Sequence, residues 1–295
     1  MAITDKEQGV WELDEAYNKQ MAGYWSYDGL TGYFGMGSNS YGTLGLNSRQ
    51  GRSSPTQLTG TWSKISAAGS SRSFFGLKTD GTAWAWGNSS AYGILGLNNN
   101  ISRSSPTQLP GTTWGSQFTC DDTSSFWIKT DGTLWAWGGD TYGMLGLNQG
   151  PTAKKSSPTQ IGTNTTWSSV VTGSGSANAL KTDGTLWAWG RNYAGELGLN
   201  QKASPFLHGI SSPTQIPGTT WKTLGKAAST SIATKTDGTL WMWGNDQFGK
   251  LGQNTNGVQR SSPIQVGTNT TWDKVCYSPS HILAIKTDNT LWSWG

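Results

Sequence analysis

The segment Lys-Thr-Asp-Gly-Thr-Leu-Trp-Ala-Trp-Gly, or a close variant of it, recurs five times along the chain at a nearly constant interval. The second tryptophans of its Trp-x-Trp-Gly element are Trp86, Trp137, Trp189, Trp243 and Trp294, which gives intervals of 51, 52, 54 and 51 residues. A period of that size, filled with short strand signals and glycine turns, is how a β-propeller or β-solenoid reads in sequence. Each unit must bury itself against its neighbours, so a catalytic constellation would have to break the repeat. Almost nothing here does.

One unit runs from Trp167 to Trp221. Trp167-Ser-Ser-Val170 opens it, Ala177 to Lys181 is a second short apolar run, and Leu186-Trp-Ala-Trp-Gly190 a third. Asp183-Gly184 lies between the last two and recurs as Asp80-Gly81, Asp131-Gly132, Asp237-Gly238 and, varied, Asp288-Asn289. The pair predicts a two-residue hairpin with both central residues at positive φ. The alternation of large and small side chains in Leu186-Trp-Ala-Trp fits a strand with one packed and one crowded face. Tyr193-Ala-Gly195-Glu-Leu-Gly198-Leu-Asn200 follows, with relatives at Tyr41-Gly42, Tyr92-Gly93, Tyr142-Gly143 and Phe248-Gly249. Its glycines imply close backbone approach or positive φ. Ser-Ser-Pro-Thr/Ile-Gln-apolar then returns at Pro55, Pro106, Pro158, Pro213 and Pro263. Proline cannot donate to a ladder, so this is an edge strand.

Of the 18 tryptophans, only Trp11, Trp25 and Trp127 fall outside repeat positions. Core packing accounts for the rest, since an aromatic ring can bury roughly 150–250 Å² and this chain is otherwise poor in Leu, Ile and Val. An aromatic sugar-binding platform would have to use the three off-register rings.

The order Trp-x-x-Val, short apolar strand, Asp-Gly, Leu-Trp-x-Trp-Gly, Tyr-Gly-x-Leu-Gly is similar to the repeat of the regulator of chromosome condensation (RCC1) propeller family, over roughly residues 30 to 295. The resemblance implies an all-β propeller that binds proteins. The family's histidine ahead of the apolar strand is matched only by His281. Family members usually have seven blades, whereas five complete units can be counted here.

Phe34-Gly-Met36-Gly37 is a degenerate Trp-x-Trp-Gly element, and the last unit stops at Trp294-Gly295. The simplest closure completes one blade from both ends, with residues 286–295 beside Tyr33–Met36, so that no sheet edge is left open. That gives five blades. A sixth, partial blade is the alternative, because Tyr27-Asp28-Gly29 resembles a worn hairpin.

Charged residues make up 13% of the chain and the formal net charge is +4. One lysine per unit (Lys78, Lys129, Lys181, Lys235, Lys286) stands two residues before an aspartate, which reads as a solvated, locally compensated ring. The arginines look scattered, so no nucleic-acid partner is expected. Cys120 and Cys276 read as small buried hydrophobes, and two histidines with two cysteines make no zinc spacing. No catalytic, cofactor-binding or metal residues are expected. The Thr-Asp-Gly-Thr-Leu-Trp element resembles the structural Asp-box turns of sialidase propellers, without the arginine cluster such enzymes use. Glutamate occurs only at positions 7, 12, 15 and 196, which leaves little for paired-acid glycoside chemistry. No apolar run marks a signal peptide or a membrane span.

Residues 1–25 do not repeat and are expected to form an appended segment, with 26–295 as the propeller. Val10, Leu13, Tyr17 and Met21 make one stripe of a short amphipathic helix, a lid or an anchor. Gly9-Val-Trp-Glu-Leu-Asp-Glu-Ala-Tyr-Asn resembles the Gly-Val-Trp lead-ins of structural and tail-fibre-like proteins of marine bacteriophages. That resemblance implies a non-enzymatic virion component, in a tail, fibre or capsid exterior, made in the host cytoplasm and contacting other virion proteins, a host surface receptor or further copies of itself. The alternative is a bacterial RCC1-like protein-binding propeller, an enzyme inhibitor or exchange-factor-like scaffold. The contact residues expected from sequence are Val10, Trp11, Leu13, Tyr17 and Met21, with Phe206 and Leu207 in the most irregular connection.

Overall fold

The computed structural model describes residues 32–68, 72–89, 92–150, 153–202 and 209–295. These form six antiparallel sheets. The first pairs β1 (Tyr33–Gly37) with β2 (Arg52–Leu58). Four sheets of four strands follow. They are β3 (Trp62–Ala68), β4 (Ser73–Lys78), β5 (Ala83–Gly87) and β6 (Arg103–Gln108); then β7 (Trp114–Cys120), β8 (Ser124–Lys129), β9 (Leu134–Gly138) and β10 (Lys155–Gln160). The next are β11 (Trp167–Gly173), β12 (Ser176–Lys181), β13 (Leu186–Gly190) and β14 (Ile210–Ile216); then β15 (Trp221–Ala227), β16 (Thr230–Lys235), β17 (Leu240–Gly244) and β18 (Arg260–Gln265). The last sheet has β19 (Trp272–Tyr277), β20 (Ile282–Lys286) and β21 (Leu291–Trp294). Successive sheets meet through their first strands, β3 with β7, β7 with β11, β11 with β15 and β15 with β19, so these lie innermost and the proline-bearing fourth strands outermost. The architecture is an all-β, RCC1-like propeller.

The packing follows from the large-small alternation. In β5, Trp84 and Trp86 lie on one face and Ala83 and Ala85 on the other. The small-residue face of one blade, with Phe75, Leu77, Ile94 and Leu95, receives Trp114, Trp127 and Trp137 of the next. Within a blade the opening tryptophan packs on the two of the third strand, and Trp167 sits edge-on to both Trp187 and Trp189, at 6.1 and 6.3 Å. Burying rings of this size supplies most of the apolar area that a chain short of aliphatics would otherwise lack.

Each step around the ring is also tied by the third strand's second indole, which donates to the preceding blade's glycine loop: Trp86 to Thr43 O, Trp137 to Ile94 O, Trp189 to Met144 O, Trp243 to Glu196 O and Trp294 to Lys250 O. The loop glycines are required by this approach. Gly146, at φ 68°, would place a Cβ 2.8 Å from Trp189 Nε1.

Several expectations are corrected. The sheets among the described residues number six, the alternative count and not the five of the simplest closure, and there β21 is hydrogen-bonded to β20 and β1 to β2, not to each other. The reason is positional. β1 and β21 are both third strands of their blades, so the two partial sheets duplicate one strand instead of completing a single blade. The Asp-Gly hairpin is not a two-residue turn with two positive φ values. Gly81 N bonds Lys78 O at 3.0 Å and Lys78 N bonds Thr82 O at 2.9 Å, with only Gly81 at positive φ (79°). This is a type I turn ending in a left-handed glycine. The aspartate stays at ordinary φ, its carboxylate accepting from the threonine two residues on, as Asp80 does from Thr82. Trp127 is no exposed platform; it is buried in β8, stacked on Phe118 at 4.1 Å, with Nε1 bonded to Gly115 O. The stripe Val10, Trp11, Leu13, Tyr17, Met21, the hairpin-like Tyr27-Asp28-Gly29, and Phe206 and Leu207 all lie outside the described residues.

Candidate functional site

The chain alternates between two ends of the propeller, and the two ends differ in kind. One end carries the turns between second and third strands and the links from each fourth strand to the next blade. There the same arrangement is built five times. Asp183 Oδ1 accepts from Thr185 N at 2.9 Å and Thr185 Oγ1 at 2.7 Å, and Trp187 Nε1 donates to Thr185 Oγ1 at 2.9 Å. These hydrogen bonds, chiefly the threonine hydroxyl, hold the Asp183 carboxyl below the usual range, as they do for Asp80, Asp131, Asp237 and Asp288. The repeat lysines are not a free solvated ring. Each ammonium lies over two tryptophans: Lys181 Nζ is 4.8 Å from the Trp167 ring and 4.1 Å from that of Trp187, and Lys78, Lys129, Lys235 and Lys286 do the same. A surface this regular is scaffold.

The other end carries the turns between first and second strands and the long loops between third and fourth, and here the units diverge. All six arginines, Arg49, Arg52, Arg72, Arg103, Arg191 and Arg260, belong to these loops or to the first residue of a fourth strand. Lys154, Lys155 and Lys202 join them. Three of the cations lie over loop tyrosines: Arg72 over Tyr41 at 5.1 Å, Lys154 over Tyr92 at 5.1 Å and Arg191 over Tyr193 at 5.0 Å. The arginines that look scattered in sequence are thus collected on one face. The available signal was their place in the repeat, since all but Arg72 fall between a Trp-x-Trp-Gly (or its degenerate form) and the next Ser-Ser-Pro.

The acids of this face are mostly withdrawn. Asp140 and Asp246 are buried, each accepting from the loop leucine five residues on, and desolvation raises the Asp140 carboxyl to about 6. Glu196, the one glutamate among the described residues, is fully buried. Its Oε2 accepts from Ala194 N at 2.6 Å, and Oε1 lies 3.6 Å from Arg191 Nε. Nearby Lys226 bonds Asn178 Oδ1 at 2.7 Å and Ser231 Oγ at 2.9 Å, and burial lowers its ammonium to about 8. Asp121 and Asp122 line an open cleft of about 310 Å³ shared with Tyr142, Ser174 and Arg191. Asp121 is structurally committed, accepting from Thr123 N, Ser124 N and Thr172 Oγ1 at 2.9, 2.8 and 3.0 Å.

His281, the one match to the family histidine, bonds Ser278 Oγ through Nδ1 at 2.9 Å in the turn between β19 and β20. Cys276 is exposed rather than buried; Cys120 is half-buried, its thiol pushed up by desolvation. Among the described residues no group of three or more His, Cys, Asp or Glu is placed to hold a metal ion, and no helix is long and apolar enough to cross a membrane.

The repeat family described as the regulator of chromosome condensation (RCC1) repeat matches residues 131–180, 183–229 and 237–285. The chain is 26% identical over 266 residues to the mitochondrial RCC1 domain-containing protein RUG3 of Arabidopsis thaliana, covering 85% of this chain and 58% of that one. It is 22% identical over 270 residues to the ultraviolet-B receptor UVR8 of the same plant, covering 88% and 60%. The chain therefore spans less than two thirds of the length of either relative. Among solved structures, yeast RCC1 (Prp20) bound to Kap60 superposes with a TM-score of 0.71 at 20% identity, over 88% of this chain and 63% of that one. Human WBSCR16 gives 0.69 at 22% identity, over 86% and 67%. At such identities the structures establish the fold. The chain carries RCC1 repeats and has RCC1-like propeller homologues.

Proposed function

We propose that this RCC1-repeat propeller is a non-catalytic protein-binding scaffold whose variable face docks on an acidic surface of its partner. The carrying observation is the segregation of charge. The repeated end pairs each of the five turn aspartates with its own turn and each of the five repeat lysines with tryptophan faces, whereas the variable end gathers all six arginines and buries Asp140, Asp246 and Glu196. Arginine over a tyrosine ring presents a planar donor set at low conformational cost, which suits carboxylate recognition. Solved structures of the same fold include one of yeast RCC1 with Kap60 and one described with binding properties to Gsp1p and histones, which supports a protein-binding reading.

The test is retention on immobilised polyglutamate as salt is raised, for the natural chain and for a variant with Arg49, Arg72 and Arg103 changed to Glu. Salt-sensitive retention lost in the variant supports the proposal. Equal retention of both, or release by duplex DNA at lower concentration than by soluble polyglutamate, overturns it.

The narrower reading is a virion component assembling through residues 1–25, with Val10, Trp11, Leu13, Tyr17 and Met21 inserted into a neighbour and Phe206 and Leu207 as a contact loop. It rests on the likeness of Gly9–Asn18 to phage lead-ins, and none of the relatives named above is described as a virion protein. In that reading the protein is made in the host cytoplasm and leaves in the particle. Its test is mass spectrometry of purified particles together with deletion of residues 1–25. A chain found in particles only when those residues are present supports it; absence from particles ends it.

A further inference from the structure

Each loop from a third strand to a fourth is closed by one buried side chain, two residues after the glycine that ends the third strand. The five are Asn39, Ser89, Asp140, Asn192 and Asp246, none more than 2% exposed. In four of them one side-chain oxygen accepts the N–H of the loop leucine: Leu44 on Asn39 at 2.9 Å, Leu145 on Asp140 at 2.8 Å, Leu197 on Asn192 at 3.1 Å and Leu251 on Asp246 at 3.0 Å. Further along, each loop passes through a left-handed asparagine (Asn47, Asn98, Asn148, Asn200, Asn254, φ 53° to 59°), and the residue after it comes back over the anchor. Asn39 Nδ2 donates to Ser48 O at 2.9 Å, Ser89 Oγ to Asn99 O at 3.4 Å and Asn192 Nδ2 to Gln201 O at 2.8 Å. Asp246 has no donor to give and accepts instead from Thr255 Oγ1 at 2.9 Å. In all four a donor meets an acceptor.

Asp140 is the exception. The residue after its asparagine is Gln149, and Asp140 Oδ2 is buried without a hydrogen-bond partner. A carboxylate oxygen thus stands where Asn39 and Asn192 place an amide N–H, an arrangement that is unfavourable out of water. Protonation of that oxygen supplies the missing donor.

We propose that Asp140 is a proton-operated latch of the variable face: the neutral acid donates Oδ2–H to the Gln149 carbonyl and closes the loop of residues 139–150, and loss of that proton to solvent releases it. The effect reaches the next blade, because this loop offers Met144 O to Trp189 Nε1 at 2.9 Å and Asn148 N to Ser211 O at 2.7 Å. The titratable groups packed around the anchor are Lys155 at the start of β10, Tyr92 against Gly139 with Lys154 over its ring, Tyr142 two residues on, and Asp121 and Asp122 in the turn whose Thr123 O accepts Gly139 N. Desolvation raises the Asp140 carboxyl from 3.8 to about 6 and prevails over the Leu145 N–H and Lys155, which lower it. With the folded value above the unfolded one, the latch's contribution is complete below about pH 4 and is lost as the pH rises through about 6. The latch does not depend on the acidic-partner reading.

The test is amide hydrogen exchange of the full chain by NMR at pH 5 and pH 7.5, with rates corrected for intrinsic exchange. Protection of the Leu145 N–H should fall about tenfold between the two, the ratio set by values of 3.8 in the open loop and about 6 in the closed one. In Asp140→Asn it should stay level, as should that of Leu197 above Asn192 in the natural chain. Asn192→Asp should import the fall at Leu197, because it sets a carboxylate against the Gln201 carbonyl. Histidine also titrates in this range, and the comparison with Asp140→Asn removes its contribution. Level protection of Leu145 in the natural chain, an equal fall in Asp140→Asn, or no fall at Leu197 in Asn192→Asp overturns the proposal.

Discussion

Trp189 Nε1 donates to Met144 O at 2.9 Å, across 45 residues of sequence and from one blade to the next. Both groups are buried, so the bond is the point where the repeat interval becomes a tertiary contact. Trp189→Phe keeps a ring in the core but leaves the Met144 carbonyl without its donor. The expected loss is roughly 1–3 kcal/mol on denaturant unfolding. Trp292→Phe, on the half-exposed edge of β21, should change stability by less than about 0.5 kcal/mol.

Gly146→Ala should destabilise strongly, because the position needs φ 68° and the added Cβ would sit 2.8 Å from the Trp189 indole nitrogen. A loss above about 2 kcal/mol is expected. Gly150→Ala, with nothing within 4 Å, is the matched control and should be neutral. Thermal melts of the two variants decide it.

The five turn carboxylates give the fold an acid limit. Asp80, Asp131, Asp183, Asp237 and Asp288 are all held below their ordinary value of 3.8, first by a threonine hydroxyl. A depressed folded value means that their contribution is complete above the unfolded value and is lost as the pH falls through the folded one. The contribution of these five groups should therefore be flat above about pH 5 and decline below pH 4, seen as a falling unfolding midpoint on the acid side. Thr185→Val should raise the Asp183 titration midpoint seen by NMR and leave Asp80 unchanged.

Lys226 acts in the opposite range. Its ammonium is lowered to about 8 by burial, against an ordinary 10.5, with Glu196 partly opposing the shift. The unfolded chain then binds a proton that the folded chain has released, so this group's contribution to stability increases as the pH rises from 8 toward 10.5. Measured against Lys226→Met, the natural chain should gain stability between pH 7.5 and 9.5. No change in that difference would mean the amine titrates normally in its pocket of Asn178 and Ser231.

Sequence by itself determined the repeating unit, its strands and the positions of its turns, though not the turn type, because these are set by neighbours within a few positions. The Asp-Gly pairs, the proline edge and the large-small alternation of Leu186-Trp-Ala-Trp carry their structural instructions locally. Tertiary structure decided everything that depends on which unit meets which. Trp127 breaks the register in sequence yet is buried, because on the adjoining strand Phe118 stacks on its ring and the Gly115 carbonyl accepts its indole N–H. The repeat lysines look solvated beside their aspartates until Trp167 and Trp187 are brought under Lys181 from different strands. Six arginines spread over more than 200 positions share a face because the chain turns at that end once per strand pair, a relation that composition and spacing along a line do not express. The sheet count followed the same logic: β1 and β21 each read as half a blade, but both occupy the third place, and a hydrogen-bond ladder admits only one strand there.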